Sequence, residues 1–206
     1  MRRALLLITI LLSTSAFADE QTRNLGGFKS IRSKGAYSLL VQAGKAQSIT
    51  IKGNESFINS VKTDVFGDEL VISSKEKHSI RISDDAQVVV TVPELERFKM
   101  EGAGKTSLEN INAPRFELSY EGAGMLTVEG KTKFFTLKAK GVGLVDTKQM
   151  LAEDVRVNVE GVGAVSVNAS DKLNASVQGI GTLTYYGHPR SINKSVEGIG
   201  SVRAGD

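Results

Sequence analysis

The chain has 206 residues, a formal net charge of +3 and neither cysteine nor tryptophan. Without cysteine, disulfide bonds, thiolate metal sites and acylation of a lipoprotein cysteine are excluded. Two of the positive charges, Arg2 and Arg3, belong to a segment that we expect to be removed. The mature chain is then nearly neutral, so its bulk charge does not favour binding to nucleic acid or to anionic membranes.

The first 18 residues have the three parts of a secretory signal peptide. Arg2-Arg3 is the charged part, residues 4–12 are the apolar part, and residues 16–18 form a small-x-small cleavage site. The apolar part is too short for a helix that spans a bilayer permanently. We therefore predict cleavage between Ala18 and Asp19, no stable membrane insertion, and export to the periplasm, the cell surface or the extracellular space of a Gram-negative bacterium.

The region before the glycine motifs has irregular strand signals. Residues 19–27 are polar and end in glycine, which predicts a flexible lead-in or a cover for a sheet edge. One helix is predicted at 54–62, because Asn54 can cap it and its apolar residues share a face. A turn at Gly67-Asp68 predicts a hairpin. The predicted strands of this region are 37–41, 47–52, 61–65, 69–73, 79–83 and 87–92.

Six Gly-x-Gly motifs follow between residues 101 and 204, and their first glycines are 18 to 20 residues apart. Apolar residues alternate before and after the motifs, as in Val155, Val157 and Val159, which predicts strands with one buried face. We predict that the paired glycines are structural corners, where the chain bends. These glycines are Gly102, Gly104, Gly122, Gly124, Gly141, Gly143, Gly161, Gly163, Gly179, Gly181, Gly198 and Gly200.

The residue between the two glycines is always apolar and lies three positions from its apolar neighbour on either side. We interpret this spacing as a break in the alternation, with the side chain still pointing inward at the corner. The six residues are Ala103, Ala123, Val142, Val162, Ile180 and Ile199. The period of about 19–20 residues predicts a single all-β domain over residues 28–206, a parallel β-helix (β-solenoid) with irregular coils at 28–100 and six repeats at 101–204.

The residue before each first glycine belongs to a mostly charged row that we expect to face solvent. Such a row is ordinarily a solvated surface, and binding of a cation or a basic partner is the alternative. Lys140 can relieve repulsion between Glu121 and Glu160, whereas Glu101 beside Glu121 has no such neighbour in the row. The row consists of Glu101, Glu121, Lys140, Glu160, Gln178 and Glu197.

No catalytic, cofactor-binding or metal-binding set is predicted. Residues 102–107 imitate the end of a phosphate-binding loop, but Lys99 stands where that loop needs a glycine and no helix is predicted after it. His78 and His188 have no partner at ligand spacing, and Asp84-Asp85 is predicted to be a turn. The remaining carboxylates considered for polysaccharide cleavage, which fall at different places relative to the glycines, are Asp146, Asp154 and Asp171.

Three further stretches, 67–73, 88–95 and 187–203, carry a resemblance to a known family. Together with the glycine motifs they resemble the "putative auto-transporter adhesin, head GIN domain" family of exported bacterial proteins, over about residues 25–204. The resemblance implies a right-handed parallel β-helix similar to the pectin-lyase superfamily, an adhesive role and no catalytic set. Where the family often carries Asp, Asn or Ser after the second glycine, this chain has Lys105, Met125, Leu144, Ala164, Thr182 and Ser201.

These observations lead to a functional hypothesis without catalysis. We expect an exported scaffold for adhesion or binding at the cell envelope, with no cofactor, whose partner is an envelope protein or a surface glycan. Open ends of a β-stack are compatible with a homo-oligomer. The alternative is a carbohydrate-active enzyme of the polysaccharide lyase or hydrolase type, which rests on fold analogy alone. A periplasmic stress or assembly factor is the third hypothesis.

Overall fold

The computed structural model describes residues 19–74 and 86–206. The predicted signal peptide, the predicted strand at 79–83, His78 and Asp84-Asp85 lie outside the described residues. The elements are β1 (Asp19–Arg23), β2 (Ser30–Ala36), β3 (Ser38–Ala43), β4 (Ser48–Gly53), α1 (Glu55–Ser60), β5 (Val61–Phe66), β6 (Glu69–Ser74), β7 (Gln87–Val92), β8 (Arg97–Tyr186), β9 (Ser191–Gly198) and β10 (Ser201–Ala204).

The strands form one mixed sheet in the order β1-β4-β7-β3-β8-β2-β6-β5, and β9 and β10 also pair with β8. Three pairs are antiparallel, namely β1 with β4, β4 with β7, and β5 with β6. The pairs of β2 with β6 and β8, of β3 with β7 and β8, and of β8 with β9 and β10 are parallel. The strands β1, β4, β7 and β3 lie on one side of β8, and β2, β6 and β5 lie on the other. Apolar side chains from both sides pack in one core, which gives a sandwich-like arrangement.

The prediction of a right-handed parallel β-helix over residues 28–206 is wrong, because the chain forms an open all-β sheet of mixed direction. The physical reason lies in the short connections of the N-terminal part. A tight turn joins antiparallel neighbours, whereas parallel strands need a longer crossover. Gly67, at φ +62°, closes such a turn between β5 and β6, with Val65 opposite Leu70.

Local sequence signals predicted two of these elements well. The helix α1 is confirmed, and the Oδ1 atom of its cap, Asn54, accepts a hydrogen bond from the backbone N–H of Phe57 at 2.8 Å. The hairpin of β5 and β6 is confirmed as well. Residues 19–23, in the stretch predicted as a lead-in or edge cover, form the edge strand β1.

The long element β8 bends repeatedly, since 90 residues in a straight strand would span about 300 Å. Its successive passes lie side by side. Thr147 Oγ1 donates a hydrogen bond to the backbone oxygen of Ser166 at 2.6 Å, and Asn168 Nδ2 donates one to that of Lys148 at 3.0 Å. Residues about 20 positions apart in β8 are therefore neighbours in space.

The two-residue alternation of β8 continues through the glycine motifs. Val159 and Val165 are buried, and Gly161 and Gly163 between them share their parity. Val162 has the opposite parity, and its side chain is exposed. The interpretation of a phase break with an inward side chain is therefore wrong. Glycines occupy the inward positions, and the apolar residue between them points outward.

Candidate functional site

The most unusual surface of the described residues is a narrow band of exposed aliphatic side chains. The exposed fraction is 58% for Val142, 48% for Val162, 59% for Ile180 and 84% for Ile199. Leu144, at 38%, lies two residues after Val142 on the same face. We call these five residues the apolar strip. Four of them stand between paired glycines, so the outward parity of that position brings them to the surface.

Close backbone contact between glycines lines up the members of the apolar strip. A Cβ atom on Gly161 would strike the backbone oxygen of Gly141, and one on Gly198 would lie 2.8 Å from the backbone oxygen of Gly179. The backbone N–H of Ile199 also donates a hydrogen bond to the oxygen of Gly179 at 3.0 Å. Side chains next to these glycines on successive passes are therefore neighbours, and they form one continuous apolar surface.

The role of the twelve paired glycines as structural corners stays a prediction. Most of them have a φ that disfavours other residues, and Gly163 at +153° is one example. Three of them, Gly122, Gly181 and Gly200, do not have a positive φ. At Gly181 the nearest atom to an added Cβ would be Val159 Cγ1, at 3.1 Å. The glycines therefore differ in how strictly the backbone requires them.

The charged row runs beside the apolar strip and is largely paired. Lys99 Nζ lies 2.6 Å from Glu101 Oε1 and 3.1 Å from Glu121 Oε2, so the expected unrelieved repulsion between these two glutamates is wrong. Sequence reasoning missed Lys99, although it lies two residues before Glu101 on the same strand face. Lys140 Nζ lies 2.8 Å from Glu160 Oε2. From Glu101 to Glu160 the row is therefore a ladder of ion pairs, and its last part borders the strip.

These ion pairs lower the pKa of two carboxyl groups in the row. A hydrogen bond from Lys99 lowers the pKa of the Glu101 carboxyl below its ordinary value, and Lys34 at 3.4 Å adds to this effect. A hydrogen bond from Lys140 lowers the pKa of Glu160 in the same way. Glu101, Glu121 and Glu160 thus have lysine partners in place, whereas Glu197 accepts a hydrogen bond from Gln178, and the row can act as a charged rim.

A second surface feature is a groove of about 950 Å³ on the outer face of β4, β7, β3 and the first two passes of β8. Lys52 and Lys105 line it, together with hydroxyl and amide side chains. Glu109 also lines it, and its Oε2 atom accepts a hydrogen bond from Gln42 Nε2 at 2.8 Å. The groove is lined by polar and apolar atoms in comparable amounts, so it can accept a ligand with both kinds of surface.

The structure does not bring the candidate enzymatic carboxylates together. Asp146 accepts a hydrogen bond from Ser166, and Asp171 pairs with Arg190 at 2.8 Å. No group of three or more His, Cys, Asp or Glu side chains within residues 19–74 and 86–206 is arranged to hold a metal ion. Residues 102–107, which imitate a phosphate-binding loop, continue as strand and not as a helix. His188 is exposed in a turn, at φ +51°.

None of the helices that the structure describes is both long and apolar enough to cross a bilayer.

The apolar strip was not predicted, although a signal for it exists in the sequence. Counting in twos from Val159 passes through both glycines to Val165, which leaves Val162 on the other face. The residues of the groove come from distant parts of the chain, and no local pattern marks them.

Solved structures share this fold. A putative adhesin from Bacteroides fragilis NCTC 9343 has a TM-score of 0.73 and 21% sequence identity, over 92% of this chain and 98% of that one. A putative adhesin from Parabacteroides merdae ATCC 43184 has a TM-score of 0.52 and 13% identity, over 93% and 97% of the two chains. A search of curated protein sequences found no significant match. The model of the family "putative auto-transporter adhesin, head GIN domain" matches residues 27–189, and the chain therefore belongs to this family, as the sequence resemblance indicated.

Proposed function

We propose that this chain is a non-enzymatic adhesion or binding protein of the bacterial cell envelope, which docks an envelope protein on its apolar strip. The observation that carries the proposal is the exposure of the strip, from 38% at Leu144 to 84% at Ile199. Contiguous exposed apolar side chains with a polar rim are typical of protein interaction sites.

The physical argument for a protein partner is the arrangement of the strip and its border. Aliphatic side chains lie in the middle, and the charged row borders them on one side, where Lys140 and Glu160, two residues before Val142 and Val162, form an ion pair. Protein interfaces commonly have such an apolar centre with a polar rim. Full burial of one valine or isoleucine side chain contributes about 2 kcal/mol, so the strip can supply a useful part of a binding free energy.

The location follows from two expectations. The first 18 residues have the pattern of a signal peptide, and the similar protein from Bacteroides fragilis is described as a putative adhesin. Both support a protein that acts after export, in the periplasm or at the cell surface.

The carbohydrate-active alternative needs carboxylates that converge on one substrate. Asp146 and Asp171 have separate partners, so no observation favours that alternative over binding.

The test measures binding of the labelled mature chain to intact cells and isolated envelopes of its host. We expect saturable, protease-sensitive binding, and at least a tenfold loss of apparent affinity in the double variant Val162→Ser/Ile180→Ser. The matched control is Phe66→Ser/Leu151→Ser, which removes two exposed apolar side chains outside the strip (67% and 54% exposed). Equal binding by both double variants would contradict the proposal, and so would release of reducing or unsaturated ends from polysaccharides by the purified chain.

A further inference from the structure

The groove differs from the apolar strip in position and in chemistry. It lies where β4, β7 and β3 continue into the first two passes of β8, and its volume is about 950 Å³. The members of the strip belong to later passes and do not line it. A ligand in the groove would therefore leave the strip free for a protein partner.

The sheet register fixes how the groove is lined across the strands. Lys52 of β4 is opposite Gln87 of β7, and Gln87 is opposite Ser38 of β3. Leu40 is opposite Ser107 of β8, which places Ser38 beside Lys105 on the same face. Three interstrand steps separate Lys52 from Lys105, a distance of roughly 14 Å between their backbones. Lys52 thus stands at one side of the groove and Lys105 three strands across, with Met125 and Thr127 of the next pass beyond it, and this face is long enough for a short oligosaccharide.

The middle of this face suits a ligand rich in hydroxyl groups. Ser38 and Gln87 can donate and accept hydrogen bonds, and Ser107 lies 3.3 Å from the hydroxyl of Thr127 in a side-chain hydrogen bond. Leu40 also lines the groove and supplies apolar surface on the second row of the face. A sugar ring has the matching combination of polar edges and C–H faces.

The charges of the groove select among such ligands. Lys52 and Lys105 supply two positive charges, three interstrand steps apart. Of the carboxylates nearby, Glu109 accepts a hydrogen bond from Gln42 at 2.8 Å, and Glu20 forms an exposed ion pair with Lys52 at 3.2 Å, which an acidic ligand would replace. A charge-assisted hydrogen bond from a lysine to an anionic group is stronger than one to a neutral hydroxyl.

We propose that the groove binds an acidic saccharide, with its carboxylate or sulfate groups on Lys52 and Lys105 and its hydroxyls on Ser38, Gln87, Ser107 and Thr127. The inference deepens the proposed adhesion function, on which it rests for its biological setting, by naming a glycan class for a second site. The chemistry that recognises the ligand is negative charge combined with hydroxyl groups at fixed spacing along the sheet.

The test is calorimetric titration of the mature chain with three acidic oligosaccharides: trigalacturonate, trimannuronate and sialyllactose. Maltotriose serves as a neutral saccharide, and tripolyphosphate serves as an anion without sugar. We expect at least one acidic saccharide to bind at least tenfold more tightly than both of these. We also expect Lys52→Gln/Lys105→Gln to weaken that binding at least tenfold, and Lys131→Gln/Lys172→Gln, at exposed lysines outside the groove, to leave it unchanged.

Thr127→Val separates hydroxyl recognition from charge alone. The substitution preserves the size of the side chain. It should weaken binding of the acidic saccharide threefold or more without changing the binding of tripolyphosphate. Circular dichroism and the melting temperature establish that each variant is folded. The inference is overturned if none of the acidic saccharides binds at millimolar concentration, if tripolyphosphate binds as tightly as they do, or if both lysine pairs have equal effects.

The strip variant Val162→Ser/Ile180→Ser distinguishes the two proposals, because it should retain saccharide binding. If it loses adhesion to cells and keeps the saccharide, the two surfaces act separately. If the groove fails its test while the strip variant still loses adhesion, only the groove inference falls.

Discussion

The apolar side chains at the two ends of the sheet differ in their exposure to solvent. At the N-terminal end the helix α1 lies over the core, and Phe57 and Ile58 are 2% and 6% exposed. At the C-terminal end Ile192 of β9 pairs with the buried Leu173 of β8, yet Ile192 is 43% exposed. A paired strand ends the sheet on each side, β1 on the first and β9 on the second, and only the first end also has a helix over its core. Stacked strands thus continue the sheet without completing its core.

The edges of the two ends are protected by charge. The edge strand β1 begins with Asp19 and Glu20, and Glu20 pairs with Lys52. In β9 a lysine, Lys194, stands opposite the buried Ala175, where the pattern would otherwise place an apolar residue. A charge at an inward position discourages edge-to-edge aggregation. The first end is therefore protected by the helix α1 and the charged strand β1, and the second end by Lys194.

The regions also differ in what holds neighbouring strands together, and glycine substitutions should reveal this most strongly. In β8 an added methyl at Gly163 would strike the backbone oxygen of Gly143, at φ +153°. We expect Gly163→Ala to lower the free energy of unfolding by about 3 kcal/mol, from strain and displacement of the neighbouring pass. Urea unfolding followed by circular dichroism measures the change.

The matched control is Gly181→Ala, at the same motif position one pass later. Gly181 has no positive φ, and the nearest atom is a methyl group of Val159 at 3.1 Å. We expect a loss below about 1 kcal/mol there, because a side-chain methyl can move aside. Equal losses at the two glycines would mean that close backbone contact does not hold the passes of β8 together.

The same substitution at the two ends tests the difference in cover. Ile58→Ala removes atoms from a closed part of the core, and we expect a loss of about 2 to 3 kcal/mol. Ile192→Ala removes a side chain that is already 43% exposed, and we expect a loss below about 1 kcal/mol. Thermal and urea unfolding of both variants gives the comparison. A large loss at Ile192 would indicate that a second molecule covers the C-terminal end in solution.

The sequence correctly predicts the elements whose formation depends on residues close together in the chain. Asn54 as a cap and Gly67-Asp68 as a turn act within a few residues, and each produced the predicted element. The pairing of β4 with β7 joins residues about 40 positions apart, and nothing in either strand specifies its direction. Alternation alone is equally compatible with parallel and antiparallel neighbours. The fold prediction failed because the regular period of the C-terminal part was extended to the rest of the chain.

The candidate surfaces were harder to predict for a related reason. An apolar residue in a strand is usually a core residue, whereas Val162 has outward parity and is exposed. The ion pairs of Lys99 with Glu101 and Glu121 connect neighbouring passes, so half of their geometry depends on tertiary structure. Lys52 and Lys105 line one groove only because β7 and β3 place β4 and β8 on the same sheet face.

The smallest expected effect concerns these ion pairs, which exist only where passes of β8 lie side by side. Lys99 lowers the pKa of Glu101 below its ordinary value of 4.5 in the folded state. A group whose pKa is lowered on folding contributes stability above its unfolded pKa, and this contribution is lost as the pH falls through the folded pKa. Stability should therefore decline below about pH 4.5, in part through Glu101.

The variant Lys99→Met keeps the length of the side chain and removes its charge. We expect it to be slightly less stable than the original chain at pH 6, and the difference to shrink as the pH falls towards 3, because protonated Glu101 has little left to gain from Lys99. Lys131→Met, at an exposed lysine of β8, serves as the control and should show no such convergence. Melting temperatures between pH 6 and pH 3 measure both differences. A gap for Lys99→Met that stays constant with pH would assign its effect to packing of the lysine stem against the sheet, and the charge of Lys99 would then contribute no pH-dependent stability through Glu101.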